Sequence, residues 1–530
     1  MVLSWLNLLE KELSNVKTTA DERESLNRAI KVLRTIVFTA GITAPPDLWV
    51  LRQVLSAHKQ LGTLDWLLSA KVLKPQTFAE MHGLNVKQLE IDMHFLHARG
   101  YLATTATGFL ITKNNRIDDP FRKVRPLKKE YQTNMVGQLT EWFSGKNRDT
   151  STRKFLQNWL DFTAEPRPTG SWIADYFQIE LGYRLVPLVL GLRVNELTGP
   201  LQEGVPFTAY VPGVFPELGR IFDLAGLVKH NRVTQLGARV FARGPGPFGI
   251  IAAYHPYLNN LMAILKSKRL QSWVCRGENV AASQDANRKT FQAANNALDA
   301  FCKERNFRYD VFIEHAVGQG EATRQRFEKS GEKTIRYFGA DLEDTAIEQA
   351  IEQQKKGCLP RNMQFIRCAD IGEPQRVIEH LQKQNLPTDS AVMMVGNGFH
   401  EIRQQTNENM NNVFRQYQEA GIVLIFTEES ALNDDDLLNS AWNTYHAGFR
   451  YVHETSGQGL RPSQDAGVGP ATWSWLKCAT HGGYVILEKF SHRTRTIYPH
   501  KKSRRKNPSI SVTYFCIPQK LADTLNPDDT

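Results

Sequence analysis

A short apolar run followed by an acid and two glycines occurs in VFIEHAVGQGEAT, residues 311–323. Glu314 ends the run, and Gly318 and Gly320 precede a stretch of helical character. Glycine at a strand-to-helix turn indicates a backbone that turns tightly or lets another molecule approach closely. The spacing E-x-A-x-G-x-G differs from the dinucleotide fingerprint G-x-G-x-x-G. An acid here would repel a pyrophosphate, so the turn suits a ligand with an amino group or another positive centre.

Two further carboxylates end later apolar runs. Asp341 comes 21 residues after Gly320, with Leu342 next to it, and it suits a ribose diol, which can donate two hydrogen bonds to a carboxylate. Asp370, followed by Ile371, is placed to accept a hydrogen bond from an adenine amino group. A ligand with a ribose, an adenine and a cation but no phosphate describes S-adenosylmethionine.

These segments resemble the motifs of the class I S-adenosylmethionine-dependent methyltransferases over residues 275–520 or so. VFIEHAVGQGEAT resembles their motif I, usually D/E-x-G-x-G-x-G, and YFGADLEDTAIEQA and FIRCADIGEP resemble their second and third motifs. Ala316 replaces the first glycine of motif I, and because alanine is small we expect cofactor binding to survive. The resemblance implies that the cofactor S-adenosylmethionine is bound by Glu314, Gly318, Gly320, Asp341, Leu342, Asp370, Ile371 and Asn397.

The elements that must position these residues form a regular series after residue 305. Five β-like runs alternate with helical stretches: YDVFIEHA, TIRYFGADL, MQFIRCADI, SAVMMVGNG and GIVLIFTEE. This pattern predicts an α/β fold with a doubly wound, Rossmann-like parallel sheet, in which ligands bind at the carboxyl ends of the strands. Two runs in the tail, GGYVILEKF and SISVTYFCI, predict an antiparallel pair at one edge. The helical segment 278–301 looks like the lid helix of many family members.

The catalytic candidates follow the fourth run, in GNGFHEIR. In some small-molecule O-methyltransferases of this family a histidine at this place is the general base, so the resemblance implies that role for His400, with Glu401 beside it. The base would take a hydroxyl proton as the methyl group is transferred. Other members act by proximity alone, so both mechanisms stay open. Glu428 and Glu429, at the end of the fifth run, are further candidates.

An aromatic and basic segment, residues 442–462, precedes the terminal strands and is predicted to cover the acceptor pocket. Its candidate substrate-binding residues are Trp442, Tyr445, His446 and Arg450.

The N-terminal half is predicted to be mainly helical. Residues 1–40 form a helix that ITAPPDLW, residues 42–49, should end. The stretch 77–112 has a helix-turn-helix pattern followed by two short β-like runs, which is typical of a winged helix. Its second helix carries both acids and bases, which favours a structural role, such as homodimerisation, over DNA contact. We therefore predict a helical and winged-helix-like region at 1–130, a mainly helical region with a second, looser winged-helix-like element at 131–270, and a methyltransferase domain at 271–530.

Composition narrows the class of protein. The chain has 530 residues, of which 41% are hydrophobic and 23% charged, as in ordinary globular proteins. Six cysteines without a CxxC pair predict neither a zinc site nor a disulfide framework, and the histidines show no metal-ligand spacing. No apolar run is long enough to span a membrane and the N-terminus does not resemble a signal peptide, so we expect a cytoplasmic protein without membrane contact.

The net charge of +10 keeps a second function open. Part of this charge lies in HKKSRRK, residues 500–506, which is either a solvated loop or a patch for nucleic acid. The N-P-P-Y/F motif of amino-group DNA methyltransferases is absent. We therefore predict methylation of a small-molecule acceptor, with oxygen as the expected acceptor atom, and keep a nucleic-acid methyltransferase or a non-catalytic scaffold as alternatives.

Overall fold

A computed structural model describes residues 2–13, 15–112, 118–163, 173–267, 276–330, 335–403, 405–439, 445–463, 472–495 and 509–525. The chain divides into two compact units. The first contains Met1–Ser272 and Asp434–Phe449, and the second contains Trp273–Asn433, Arg450–Thr496 and Lys506–Thr530. The predicted cofactor and catalytic residues all lie in the second unit.

The part of the chain before residue 272 is mainly helical. Its elements are α1 (Val2–Leu13), α2 (Ala20–Gln60), α3 (Thr63–Leu68), α4 (Pro75–His82), α5 (Val86–Ala98), β1 (Leu102–Thr104), β2 (Phe109–Ile111), α6 (Asp118–Lys123), α7 (Met135–Ser144), α8 (Thr150–Leu160), α9 (Tyr176–Val194), α10 (Phe207–Tyr210), α11 (Pro216–Leu224), β3 (Val228–Lys229), β4 (Arg232–Val233), α12 (Gln235–Arg243), α13 (Pro245–Ala252), α14 (His255–Asn259) and α15 (Leu261–Leu265).

The single helix predicted over residues 1–40 is wrong, because α1 ends at Leu13 and Thr19 caps a second helix, α2. Helix α2 also continues through Pro45 and Pro46 instead of ending before them. Each proline removes an N–H donor from the helix and costs about 3 kcal/mol in a helix interior. Residues 45–58 are all buried, and this part of α2 packs along α9. Burial of that many side chains outweighs the cost of the two prolines, which local sequence signals do not reveal.

The predicted winged-helix pattern is present in the first unit. Asn85 caps α5 by accepting a hydrogen bond from the backbone N–H of Gln88 at 3.2 Å, so the turn between α4 and α5 is set locally. β1 and β2 then form an antiparallel hairpin, with Leu102 opposite Ile111. Further along the chain, the β3–β4 hairpin lies between α11 and α12.

From α16 to β9 the remaining elements alternate between helices and strands, and three helices, three strands and a last helix follow. They are α16 (Arg276–Arg305), β5 (Val311–His315), α17 (Glu321–Ser330), β6 (Arg336–Ala340), α18 (Asp344–Lys355), β7 (Gln364–Ile366), α19 (Gln375–Lys383), β8 (Ala391–Gly396), α20 (Asn407–Glu419), β9 (Val423–Glu429), α21 (Asp434–Asn439), α22 (Tyr445–Ser456), α23 (Trp475–His481), β10 (Tyr484–Ile486), β11 (His492–Arg495), β12 (Ser509–Pro518) and α24 (Gln519–Leu525).

The sheet of the second unit has the strand order β10-β12-β9-β8-β5-β6-β7, and β11 also pairs with β12. β7, β6, β5, β8 and β9 are parallel to one another, whereas β12 is antiparallel to both β9 and β10. Both faces are covered, because Ile313 of β5 belongs to one buried cluster and Phe312 to another. The predicted doubly wound sheet and its antiparallel edge pair are confirmed.

The described helices include none that is both long enough and apolar enough to cross a lipid bilayer.

Candidate functional site

The strand order changes direction at β5, whose parallel neighbours are β6 on one side and β8 on the other. Three loops meet beyond the carboxyl ends of these strands. A Cβ atom placed on Gly398 would lie 3.4 Å from Cβ of Ala316 and 3.2 Å from Cδ1 of Ile371. The turn after β5, the loop after β7 and the loop after β8 therefore form one cradle at the position where such sheets bind ligands.

The turn after β5 has an unusual backbone. Ala316, Gly318 and Gly320 have φ angles of 57°, 51° and 80°, all in the left-handed region. A Cβ atom on Gly320 would also lie 2.8 Å from Leu359, so only glycine fits there without a shift. Ala316 adopts the same left-handed conformation with a Cβ atom, at a cost of about 1 kcal/mol or more. The alanine in the motif is thus a strained residue at the cradle.

Glu314 holds the helix that follows this turn. Its carboxylate accepts hydrogen bonds from the backbone N–H groups of Ala322 at 3.1 Å and Thr323 at 2.7 Å, in the first turn of α17. Burial raises the pKa of Glu314 to about 7, although these hydrogen bonds oppose the shift. The side chain thereby fixes α17 against β5, and its contact with a cofactor stays a prediction.

Asp341 links the end of β6 to the glycine turn. Its Oδ2 accepts a hydrogen bond from the Gly318 N–H at 3.3 Å, and its Oδ1 accepts one from the Glu343 N–H at 3.0 Å. The neighbouring Leu342 is 39% exposed, an unusual position for a large apolar side chain. The structure thus brings Asp341 and Gly318, which are 23 residues apart, into direct contact.

The loops after β7 and β8 carry the remaining cofactor candidates. Asp370 accepts a hydrogen bond from the Gly372 N–H at 2.8 Å, and this turn holds Ile371 in the cradle. Asn397 has a φ of 56°, and its Nδ2 donates to Oδ1 of Asn287 in α16 at 3.3 Å. The Oδ1 atom of Asn397 is buried and has no hydrogen-bond partner. Since buried acceptors are rarely left unsatisfied, this atom indicates a place for a donor group of a ligand.

These observations test whether the residues fit S-adenosylmethionine. The close packing of Gly398 against Ala316 and Ile371, the unsatisfied Asn397 oxygen and the carboxylate of Asp341 all occur at the carboxyl ends of the strands. They supply a small-residue cradle, an acceptor for an amino group and a carboxylate for a diol. The residues present therefore fit the cofactor. Among the described residues, no group of three or more His, Cys, Asp or Glu side chains is arranged to hold a metal ion.

His400 forms a buried pair with Glu428. Nδ1 of His400 lies 2.8 Å from Oε2 of Glu428, and Oε1 of the same carboxylate accepts a hydrogen bond from the Phe399 N–H at 2.6 Å. Burial alone would lower the pKa of His400, but the Glu428 carboxylate, together with Glu401, reverses this effect and raises the pKa above its usual value. Glu428 thus fixes both the ring and the loop that carries it.

Two further groups surround this pair. The ring of His453, in α22, packs edge-on against the His400 ring, with centroids 4.9 Å apart. Burial raises the pKa of Glu429 to about 8, although His400 opposes the shift. The carbonyl oxygen of His400 also accepts a hydrogen bond from the Gly459 N–H at 3.2 Å, so the chain after α22 lies against the histidine.

Three of the predicted substrate residues, Tyr445, His446 and Arg450, lie in the same helix, α22. Tyr445 and His446 belong to the first unit, where the Tyr445 ring stacks on Phe449 and burial lowers the pKa of His446 to about 4. Arg450 belongs to the second unit and donates a hydrogen bond to the Leu432 carbonyl at 2.9 Å. Trp442 and the basic stretch 500–506 lie outside the described residues. A role for these side chains in binding a substrate stays a prediction.

Comparisons with known proteins give structural matches alone. Neither the family models nor the curated sequences match the chain. A CurJ carbon methyltransferase is similar over 98% of both chains, with 9% identity and a TM-score of 0.44. An O-methyltransferase family 2 protein from Planctomyces limnophilus in complex with apigenin is similar over 90% of this chain and 96% of its own, with 11% identity and a TM-score of 0.38. Human N-acetylserotonin methyltransferase in complex with S-adenosylmethionine is similar over 88% of this chain and 94% of its own, with 11% identity and a TM-score of 0.29.

The sheet, with five parallel strands and an antiparallel strand between two others near one edge, and the mainly helical region before it agree with the α/β, doubly wound architecture predicted from the sequence. The fold class predicted from the sequence is therefore confirmed.

Two features of the site differ from what the sequence predicts. The sequence predicts Glu428 only as another candidate base, whereas the structure makes it the partner of His400. No sequence pattern predicts a role for His453. A signal for the first was present, because both residues follow strands that pair in the sheet, β8 and β9. Nothing in the sequence places His453, 53 residues after His400, against its ring.

Proposed function

We propose that this protein transfers the methyl group of S-adenosylmethionine to a hydroxyl oxygen of a small-molecule acceptor. The observation that carries the proposal is the buried His400–Glu428 pair, two residues beyond the cradle glycine Gly398. A histidine with a raised pKa, oriented by a carboxylate, is suited to remove a proton from an acceptor.

The cofactor would be held by the three strand-end loops. Asp341 would accept hydrogen bonds from the ribose hydroxyls, Asp370 would accept one from the adenine amino group, and Oδ1 of Asn397 would accept one from the amino group of the methionine part. Gly318, Gly398 and the small Ala316 let the backbone approach the ligand. When bound, S-adenosylmethionine supplies an electrophilic methyl group to an in-line nucleophile.

The residues of the chain then act on the proton and the acceptor. Donation from Nδ1 of His400 to Glu428 leaves Nε2 of the neutral ring as the proton acceptor. Nε2 takes the hydroxyl proton while the oxygen attacks, and Glu428 stabilises the imidazolium that forms. The edge-on His453 ring keeps the His400 ring from rotating.

The first test is calorimetric titration of the protein with S-adenosylmethionine and with its demethylated product. We expect binding of both, and a loss of roughly tenfold to a hundredfold in affinity for Asp341→Ala, since hydrogen bonds to a charged group contribute about 1.5–3 kcal/mol. The control is Asp344→Ala, which removes an exposed carboxylate at the start of α18, three residues further along, that pairs with Arg367. Equal affinity in the wild type and Asp341→Ala would refute the assignment of the site.

The second test identifies the acceptor atom. Hydroxylated aromatic compounds and carbon acids with an activated CH₂ group are incubated with labelled S-adenosylmethionine, and the products are analysed by mass spectrometry. Transfer to oxygen supports the proposal. Transfer to carbon alone would keep the cofactor site and the base but overturn the oxygen acceptor.

We also propose that the protein is a homodimer that associates through its N-terminal region. The support is an apolar surface on α1 and α2, where Trp5 is 68% exposed, Leu8 53% and Val32 50%. Exposed apolar side chains grouped on neighbouring helices are typical of interaction surfaces. Sedimentation velocity should give twice the chain mass for the wild type and the monomer mass for Trp5→Glu/Leu8→Glu. A wild-type monomer would contradict this proposal.

A further inference from the structure

A second cavity lies entirely within the first unit, in the part of the chain between Arg52 and Arg184. It has a volume of about 650 Å³ and is lined by residues of α2, α6, α8 and α9 and by the segment that follows α6. Six of the side chains that line it are arginine or lysine, and two are carboxylates. None of the residues assigned to the cofactor site lines it.

The floor of this cavity contains two guanidinium groups and one carboxylate, all buried. Nε of Arg52 lies 2.5 Å from Oε1 of Glu180, and Nη1 of Arg184 lies 2.5 Å from Oε2 of the same residue. Burial raises the pKa of Glu180, but the two arginines outweigh that effect and lower it below its usual value. The carboxylate is therefore ionised, and one positive charge remains uncompensated within this trio.

The two arginines differ in how their donors are used. Arg184 donates to the carbonyl oxygens of Trp159, Glu180 and Asp161, so each of its nitrogens has a partner. Arg52 is only 5% exposed, and its Nη1 is buried without a hydrogen-bond partner. An unsatisfied, buried, charged donor is costly, which indicates that an acceptor belongs next to it.

The rim adds more positive charge. Arg122, Lys123, Arg125 and Lys128 line the opening and are exposed to solvent. Lys123 pairs with Asp119 at 2.6 Å and Lys128 lies 3.7 Å from Glu130, so the charge of the rim is partly balanced. The remaining positive charge, above a floor that already carries an excess cation, attracts a multiply charged anion. The planar guanidinium of arginine can donate two parallel hydrogen bonds to two oxygens of a carboxylate or of a tetrahedral phosphate. The number of cations favours phosphate, which carries more charge per group.

The walls provide aromatic surface. Tyr131, Tyr176 and Phe162 line the cavity, and the Arg184 guanidinium lies over the Phe162 ring at 4.6 Å from its centroid. Such walls can pack against a planar ring, and the volume is ample for a ligand of nucleotide size.

We propose that this cavity binds an organic phosphate of nucleotide size, with the phosphate between Arg52 and the basic rim and the ring against the aromatic walls. The proposal does not depend on methyl transfer. S-adenosylmethionine is a poor ligand here, because it carries a sulfonium cation and no phosphate. The protein thus has a second ligand site, which prefers an anion, whereas the proposed cofactor site accommodates a cation.

The test uses ADP, inorganic pyrophosphate and adenosine as probes in calorimetric titrations of the full chain. We expect ADP and pyrophosphate to bind, with ADP tighter, and adenosine to bind much more weakly than ADP. Arg125→Glu should weaken ADP binding at least tenfold. The matched control is Arg193→Glu, which makes the same charge change at an exposed position of α9 outside the cavity.

A second variant tests the floor. Arg52→Lys keeps a cation beside Glu180 but removes Nη1, so ADP affinity should fall about tenfold while the thermal unfolding midpoint stays near that of the wild type. The proposal is overturned if neither phosphate binds at millimolar concentration, if adenosine binds as tightly as ADP, or if Arg193→Glu weakens binding as much as Arg125→Glu. S-adenosylmethionine affinity, measured on the same variants, separates this site from the proposed methyl-transfer site.

Discussion

The carboxylate of Glu428 bonds both the ring of His400, at 2.8 Å, and the backbone N–H of Phe399, at 2.6 Å. One side chain of β9 therefore sets the position of the loop after β8 and the tautomer of the histidine on it. Such a relationship between a buried histidine and a carboxylate orients a proton acceptor and tunes its pKa together.

The first prediction concerns this pair. His400→Gln should lower kcat by about 10²–10⁴-fold, the usual contribution of a general base, with little change in S-adenosylmethionine affinity. His481→Gln, at an exposed histidine of the same unit, should have no effect. Unchanged kcat in His400→Gln would show that transfer proceeds by proximity alone.

The same pair predicts a pH dependence. The base must be neutral, so kcat/KM in the wild type should rise with pH through the pKa of His400, which lies above its usual value of 6.5. Removing the negative charge in Glu428→Gln lowers that pKa, so the rising limb should move to lower pH while the plateau rate falls. If the rising limb of kcat/KM stays at the same pH in Glu428→Gln, the ionisation of a group other than His400 controls the pH profile.

The third prediction concerns Glu314. Its pKa is raised from 4.5 to about 7, so the folded state binds the proton more tightly than the unfolded state. The resulting stabilisation is complete below pH 4.5 and is lost as the pH rises to 7, a change of about 3 kcal/mol in the free energy of unfolding.

Urea denaturation at several pH values measures this effect. Glu314→Gln cannot titrate, so its stability relative to the wild type should increase between pH 4.5 and 7 and then level off. Glu328→Gln, which changes a 59%-exposed side chain of the same helix, should track the wild type. Parallel curves for Glu314→Gln and the wild type would contradict the raised pKa.

The fourth prediction concerns the strained alanine. Ala316→Gly should stabilise the protein by about 1 kcal/mol, because glycine adopts a φ of 57° without steric cost. The same change in an ordinary helix, Ala300→Gly in α16, should destabilise it by about 1 kcal/mol. Thermal unfolding of the two variants should therefore show shifts of opposite sign, and a loss of stability in both would show that Ala316 is not strained.

The fifth prediction concerns Asn397. Asn397→Gly removes the side-chain amide but keeps a residue that tolerates the φ of 56°, so the backbone stays unstrained. Affinity for S-adenosylmethionine should fall about fivefold to tenfold, the contribution of one hydrogen bond. Asn385→Gly serves as the control, because it makes the same change at an asparagine after α19 whose φ is 54° and which is not part of the cradle. If Asn397→Gly binds S-adenosylmethionine as tightly as the wild type does, the buried Oδ1 atom of Asn397 does not contact the cofactor.

The sequence was informative where a structure depends on local periodicity. Five apolar runs of strand length, each followed by a helical pattern, gave the parallel strands and placed Asp341, Asp370 and His400 at their carboxyl ends. The contact between Asp341 and Gly318 follows from that topology. Local patterns failed at Pro45 and Pro46, where long-range burial against α9 overrides the propensity of proline to end a helix.

The partners of the site residues were harder to foresee. The sequence predicts that Glu314 contacts the cofactor. In the structure its two carboxylate oxygens accept hydrogen bonds from the N-terminus of α17. This arrangement depends on how α17 packs against β5. The His453 ring and the unsatisfied Nη1 of Arg52 likewise result from packing between segments distant in sequence. Such contacts have no periodic signature in the chain.

The two prolines in α2 also divide that helix into halves that should evolve under different constraints. Before Pro45 most side chains are exposed or half-buried, whereas from Pro45 to His58 every residue is buried. Substitutions should accumulate freely on much of the first half and be rejected along the second. The prolines themselves leave the carbonyls of Gly41 and Ile42 without helical donors, so the boundary between the tolerant and the intolerant half is also the place where the helix can most easily bend.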